Sequence, residues 1–137
     1  MVTRKLRRWR DRGAAAVEFA LVVPLLVMIL FGIVEFGNYF FIQSTVAGAA
    51  RVGVRSYVVN WTKTDADATA IDRARQAVPN GTAVVSAVFT PPCTPTTVGS
   101  QTTLVLTYRY SSLTGLFDGL LGSNITVTGV GSMACGG

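Results

Sequence analysis

An uninterrupted apolar segment near the N-terminus constrains this chain more than any other feature. Residues 20–34 read ALVVPLLVMILFGIV and carry no charge, and the wider range 14–34 contains one acid, Glu18. At about 1.5 Å rise per residue, a helix over the wider range covers about 30 Å, the thickness of the hydrocarbon core of a bilayer. The segment therefore predicts a membrane-spanning helix.

The excess positive charge of the chain lies in front of this segment. The formal net charge is +5; residues 1–13 carry six bases and one acid, whereas residues 14–137 carry six bases and six acids. Nucleic-acid binding needs a basic face on the folded domain, so we expect no nucleic-acid partner. A basic flank is typical of the cytoplasmic end of a span. This predicts a single-pass protein of the cytoplasmic (inner) membrane, with the N-terminus inside and the C-terminal domain extracytoplasmic.

An ordinary secretory signal peptide is the alternative for the N-terminus. Ala47-Gly48-Ala49 resembles a small-residue cleavage site. About twelve residues, three of them Glu35, Asn38 and Gln43, separate this site from the apolar core, which is farther than signal peptides place the cut. The spacing therefore disfavours ordinary signal cleavage.

Beyond the span, residues 35–59 continue with helical periodicity and no proline. Small residues cluster towards the end of this range, at Ala47, Gly48, Ala49, Ala50 and Gly53. Such a cluster lets helices approach closely in or near a membrane. It is equally typical of a helix that packs on its own domain, and both interpretations stay open from the sequence.

The remaining chain predicts a break over residues 60–64, a second helix and three strands. The helix begins with Thr64 or Asp65 as its cap and ends before Pro79-Asn80-Gly81. Alternating and β-branched residues predict strands over 82–90, 102–110 and 124–130. Between the last two strands, five apolar residues predict a short helical cover: Leu113, Leu116, Phe117, Leu120 and Leu121.

These elements predict an α+β fold. A long N-terminal transmembrane helix continues into a small extracytoplasmic domain with a second helix and a three-stranded antiparallel sheet, one face of which packs on the long helix. The predicted divisions are a basic leader peptide (1–13), the transmembrane segment (14–34), the helix continuation (35–59) and the extracytoplasmic domain (60–137).

The two cysteines, Cys93 and Cys135, follow the first and the last predicted strands. An even count and an extracytoplasmic location favour a disulfide between them. A metal site is disfavoured, because the chain has no histidine and two thiols leave two ligands missing.

The composition also argues against catalysis. Without histidine, a Ser/His or Cys/His nucleophile pair cannot form. Paired carboxylates remain possible through Asp65, Asp67 and Asp72, but their positions suit helix capping and solvation better. We expect no enzyme activity, no catalytic residue and no cofactor.

Glu18 is the unusual residue of the span. A carboxylate in an apolar span costs about 2.5–3.5 kcal/mol on insertion scales, so it normally has a partner. At the level of the lipid headgroups the cost is small, and Glu18 alone would then need no function. Its combination with Gly13 and Phe19 indicates otherwise.

Gly13, four small or apolar residues, Glu18-Phe19 and the span resemble the class III signal that prepilin peptidases cut. More closely, residues 7–56 resemble the TadE-like family of minor pilins, or pseudopilins, of tight-adherence (Flp) type IV pili. The resemblance rests on these stretches: Arg12-Gly13, residues 16–20 (AVEFA), Pro24, residues 32–37 (GIVEFG) and residues 49–55 (AARVGVR).

The resemblance implies cleavage between Gly13 and Ala14, with Glu18 and Phe19 as the acid and the aromatic residue used in processing or assembly. The implied partners are the prepilin peptidase, other pilin and pilus-assembly subunits and the lipid bilayer. The implied function is assembly or initiation of a tight-adherence pilus. The alternative is a membrane-tethered extracellular binding module, adhesin-like, with an uncleaved signal anchor; a membrane enzyme or its accessory subunit is a weaker third hypothesis.

Overall fold

The computed structural model describes residues 3–115, 119, 122 and 125–136, and for residues 3–12 the backbone alone. It confirms the predicted α+β fold. The elements in chain order are α1 (Thr3–Asn60), α2 (Ala66–Gln76), a 3-10 turn (Gly81–Ala83), β1 (Val84–Thr90), β2 (Gln101–Arg109) and β3 (Thr126–Ala134). The chain divides into an N-terminal unit, Met1–Phe36, and a C-terminal unit, Gly37–Gly137.

The N-terminal unit is helical throughout its described residues, and Pro24 lies inside the helix. Proline lacks an N–H donor and crowds the preceding turn, but a membrane helix tolerates it when other groups satisfy the freed carbonyl. Within the part of the chain that the structure describes, α1 is the one helix long and apolar enough to cross a membrane by length and composition.

The sheet of the C-terminal unit is antiparallel throughout, with β2 in the centre between β1 and β3. Side chains of β2 alternate, so that Thr102, Leu104, Leu106 and Tyr108 are buried and the intervening residues are exposed or half-buried. This period of two gives the sheet one covered face. On the other face Val88, Val105 and Val130 are aligned across the three strands.

The covered face packs against the C-terminal half of α1 and against α2. On α1 the buried residues recur every three or four positions, as helical geometry requires for a single buried face: Ile42, Val46, Ala49, Ala50, Val54, Tyr57 and Val58. From α2 the buried residues are Ala66, Ala70 and Ala74. On the helical side the core therefore combines the alanines of α2 and of the middle of the α1 stripe with larger apolar side chains from α1.

Three glycines allow the backbones to approach closely. A Cβ on Gly131 would lie 2.7 Å from the backbone carbonyl of Ala50, and a Cβ on Gly129 would meet the backbone of Val46. A Cβ on Gly53 would lie 2.6 Å from the Leu104 side chain. At separations below 3.0 Å the facing atoms must move: these are backbone atoms of α1 at Gly129 and Gly131, and the end of the Leu104 side chain at Gly53. Of the two interpretations of the small-residue cluster, the structure therefore shows packing within the domain at Ala49, Ala50 and Gly53.

A disulfide joins Cys93 and Cys135, as predicted, with a Cα–Cα distance of 5.6 Å. Both residues are buried in the part of the core that contains Tyr57. The Cys93 backbone N–H donates a hydrogen bond of 3.1 Å to the Tyr57 hydroxyl. The Tyr57 ring in turn stacks on Phe89, with 4.1 Å between the ring centroids. The disulfide therefore lies where the end of the sheet contacts the last turns of α1.

Several element boundaries and one cap differ from the predictions; β2, for example, is Gln101–Arg109 rather than 102–110. Asp65 does occupy the cap position of α2 but makes no side-chain cap hydrogen bond. The strand predicted from residue 82 begins at Val84, because residues 81–83 form the 3-10 turn. The last strand extends beyond residue 130 to Ala134. Of the predicted helical cover, Leu113 is exposed, and Leu116, Phe117, Leu120 and Leu121 lie outside the described residues.

Candidate functional site

Gly13, the residue before the proposed cut, lies within α1 and is exposed. A Cβ at this position would meet nothing within 4 Å. Neither packing nor backbone conformation therefore requires glycine here, since the φ angle is not in the left-handed region. A requirement for glycine would have to come from another molecule.

Glu18 and Phe19 are exposed on the same helix, and Phe19 is 70% exposed. Ala14 precedes Glu18 by four residues, so the two share one face of the helix. A free amine on Ala14 would thus lie one helical turn from the carboxylate of its own chain, and the exposure of Glu18 also leaves it accessible to a neighbouring chain. All four residues predicted to act in processing, Gly13, Ala14, Glu18 and Phe19, are exposed on α1.

The apolar side chains that follow are exposed on every side of α1. Within residues 13–34, all of which the structure describes, only Val23 and Gly32 are half-buried, and none is buried. The exposed fractions include 74% for Leu21, 61% for Leu25 and 68% for Met28. Glu35, which follows this stretch, is 2% exposed. Such a continuous apolar surface needs lipid or other apolar helices around it, because water does not accommodate it.

A second feature, which the sequence did not indicate, lies at the start of the C-terminal unit. The Asn38 side-chain amide donates a hydrogen bond of 3.0 Å to the Tyr110 hydroxyl. Tyr39 packs edge-on against Tyr110 with 5.6 Å between ring centroids. Beside them is a cavity of about 300 Å³ lined by Asn38, Ile42, Tyr108, Tyr110, Ser111, Ser112 and Leu113. Sequence reasoning missed this cluster because its members lie 72 residues apart and match no local motif.

Two of the carboxylates considered for catalysis accept hydrogen bonds from side chains of α2 instead. Asp72 accepts a 2.6 Å hydrogen bond from the Gln76 side chain, and Asp65 accepts one of 3.4 Å from the Thr69 hydroxyl. Asp65, Asp67 and Asp72 are all exposed. Among the described residues there is no group of three or more His, Cys, Asp or Glu side chains that could hold a metal ion.

The comparisons with known proteins agree with the N-terminal features. No curated protein and no solved structure is similar enough to count as a match. Residues 13–55 match the family described as TadE-like protein. This family is associated with tight-adherence pili and is generally structural rather than enzymatic, and the apolar helix suggests a membrane anchor. The match begins at Gly13 and ends at Arg55, and it confirms over these residues the resemblance drawn from the sequence.

Proposed function

We propose that this protein is a minor pilin or pseudopilin that takes part in assembly or initiation of a tight-adherence pilus after cleavage between Gly13 and Ala14. The observation that carries the proposal is the TadE-like match over residues 13–55. Its first residue is the glycine at the proposed cut, and it covers the whole exposed apolar helix beyond. In this proposal α1 spans the cytoplasmic membrane, the N-terminus is inside and the C-terminal unit is extracytoplasmic.

Processing explains a glycine that the fold itself does not require. A prepilin peptidase must bring the peptide bond after Gly13 to its catalytic groups, and a side chain at Gly13 would obstruct that approach. Cleavage removes the six bases of residues 1–13 and leaves a new positive amine on Ala14. The mature chain then begins directly with its apolar helix.

The new amine supplies a partner for Glu18. An uncompensated charge in an apolar environment is strongly unfavourable, whereas a paired one is tolerated. Pairing between Ala14 of one subunit and Glu18 of its neighbour would fix the register of the packed helices more than it would add strength. The exposure of Glu18 on α1 supports such a contact.

The experiment determines the mature N-terminus by mass spectrometry in the native host, for the natural chain, Gly13→Leu and Gly32→Leu. Gly32 is the matched control, because a Cβ there also meets nothing within 4 Å. We expect the natural chain and Gly32→Leu to begin at Ala14, and Gly13→Leu to remain in the membrane with its leader attached. An intact natural N-terminus, or normal processing of Gly13→Leu, would overturn the cleavage proposal.

The same measurement separates the proposal from a tethered binding module. An adhesin-like anchor has no need for the glycine and keeps its N-terminus. A mature chain that begins at Ala50 would instead indicate ordinary signal cleavage after Ala47-Gly48-Ala49 and would remove the pilin proposal.

A further inference from the structure

The C-terminal unit begins very close to the end of the proposed span. Asn38 follows Val34, the last residue of the uncharged run, by four residues. Four residues extend at most about 14 Å along the chain and about 6 Å in a helix. If α1 crosses the membrane, the first turn of this unit must therefore lie at the boundary between hydrocarbon and water.

The end of β2 is held next to this first turn of the C-terminal unit, and therefore at the same depth relative to the membrane. The hydrogen bond from Asn38 to Tyr110 and the edge-on contact of Tyr39 with Tyr110 tie the chain after Arg109 to this first turn. Ser111, Ser112 and Leu113 line the same cavity as Asn38. Residues that are distant in sequence are thus brought beside the predicted membrane surface.

The side chains in this region have the chemistry of a membrane interface. Phe40 is 61% exposed, Phe41 57% and Leu113 66%. Tyr39 packs edge-on against Phe40, with 6.0 Å between the ring centroids. Tyrosine has an aromatic ring with a polar end and is enriched at the level of the lipid headgroups. Arg109 is exposed at the end of β2, where a long cationic side chain can reach lipid phosphates.

We propose that these residues form a second lipid contact, the membrane-proximal patch: Tyr39, Phe40, Phe41, Arg109 and Leu113. Its occupant is the interfacial layer of the bilayer that α1 spans, in the leaflet next to Phe36. In the sequence the patch begins three residues after Phe36, the last residue of the N-terminal unit. The C-terminal unit then rests on the membrane surface through two segments of chain, α1 and the residues after β2. This inference depends on the spanning helix of the proposed function.

The test places single tryptophans in the full chain and reconstitutes it in phosphatidylcholine vesicles that contain brominated lipid, a short-range quencher of tryptophan fluorescence. Trp9 and Trp61 are replaced by phenylalanine throughout. Leu113→Trp and Phe40→Trp probe the patch, and Leu26→Trp probes the span. Val98→Trp is the matched control, because Val98 is 58% exposed and precedes β2, whereas Leu113 follows it; the nine residues of β2 span about 30 Å.

We expect brominated lipid to quench Leu26→Trp, Leu113→Trp and Phe40→Trp strongly and Val98→Trp weakly. Intact disulfide in each variant, checked by non-reducing peptide mapping, confirms that the domain has folded. The lipid contact would be overturned if Leu26→Trp is quenched but Leu113→Trp and Phe40→Trp are quenched no more than Val98→Trp. The patch would then be available to a protein subunit instead. Absence of quenching at Leu26→Trp would overturn the spanning helix itself, and with it the membrane anchor of the proposed function.

Discussion

The two halves of α1 form one helix but have opposite surfaces. Residues 13–34 present large apolar side chains, and none of these residues is buried. Residues 42–58 present one buried stripe, covered by the sheet and α2, in which the small residues Ala49, Ala50 and Gly53 lie among larger apolar ones; Val46 and Ala50 are fully inaccessible. The apolar content is high in both halves, so composition alone does not decide burial; side-chain size and the spacing of small residues do.

The comparison teaches that the two halves are made for different partners. The small residues in the buried stripe gain little from transfer out of water, but Ala50 lies where β3 approaches the backbone of α1 closely. A helix with large apolar side chains on all sides is stabilised most when apolar groups surround it completely. A thin domain cannot surround a helix in this way. One half therefore folds against its own chain, and the other requires lipid or further helices.

We expect the largest effect on stability from removing the disulfide of the C-terminal unit. Changing Cys93 and Cys135 to alanine opens a loop with a sequence separation of 42. We expect the free energy of unfolding of the C-terminal unit to fall by about 4 kcal/mol, because the unfolded chain regains loop entropy. Denaturant titration in micelles, followed by the fluorescence of half-buried Trp61 in Trp9→Phe chains, measures it.

The helix signal of the N-terminal unit in the same micelles should persist in the double variant, since no residue of its described part takes part in the bridge. Reduction of the natural chain is the control and should reproduce the loss. Equal stability of the oxidised and reduced chains would show that packing alone holds the C-terminal unit.

A leucine placed in each half sharpens the comparison. Gly53→Leu forces a side chain against Leu104 and towards the backbone oxygen of Ala70. We expect it to lower the free energy of unfolding by about 1–3 kcal/mol through overpacking. Gly32→Leu, which meets nothing within 4 Å, should leave the titration unchanged. A similar loss for both variants would contradict the distinction between the two halves.

The smallest effect on stability is expected for Glu18→Gln. The residue is exposed and outside the C-terminal unit, so the free energy of unfolding should change by less than about 0.5 kcal/mol. Membrane insertion should be unchanged or easier, and cleavage at least partial, whereas co-purification with pilus subunits should be lost because the Ala14 amine has no partner. Glu18→Asp, which keeps the charge, is the control. Normal processing together with normal assembly of Glu18→Gln would contradict the pairing.

The elements that local patterns determine could be predicted from the sequence. Each of these patterns lies within a short stretch of sequence: the long apolar run, the alternation in β2 and the Pro-Asn-Gly that ends α2. The structure contains the helix or strand that each pattern predicts. The partner of Cys93 was also predictable, because the chain has only two cysteines.

What the sequence left open depends on contacts between distant residues. The last strand was predicted to end at residue 130, whereas in the structure it continues to Ala134, and Gly129 and Gly131 both face α1. The Asn38–Tyr110 hydrogen bond likewise joins residues that no periodicity relates. Glu18 was noticed as the one acid of the span, but the roles expected of Glu18 and Gly13 came from the family resemblance, since the fold gives neither a packing role.

Gly129 and Gly131 have a consequence for how this domain can vary. Most core positions adapt to a substitution because neighbouring side chains change rotamer, but here the facing atoms belong to the backbone of α1. No rotamer change can make room, so even one methyl group must displace the helix or the strand. The outward neighbour Val130, 51% exposed, has no such restriction. Along β3 the freedom to accept new side chains therefore alternates with the pleat, and inherited variation should collect on one face of a single strand.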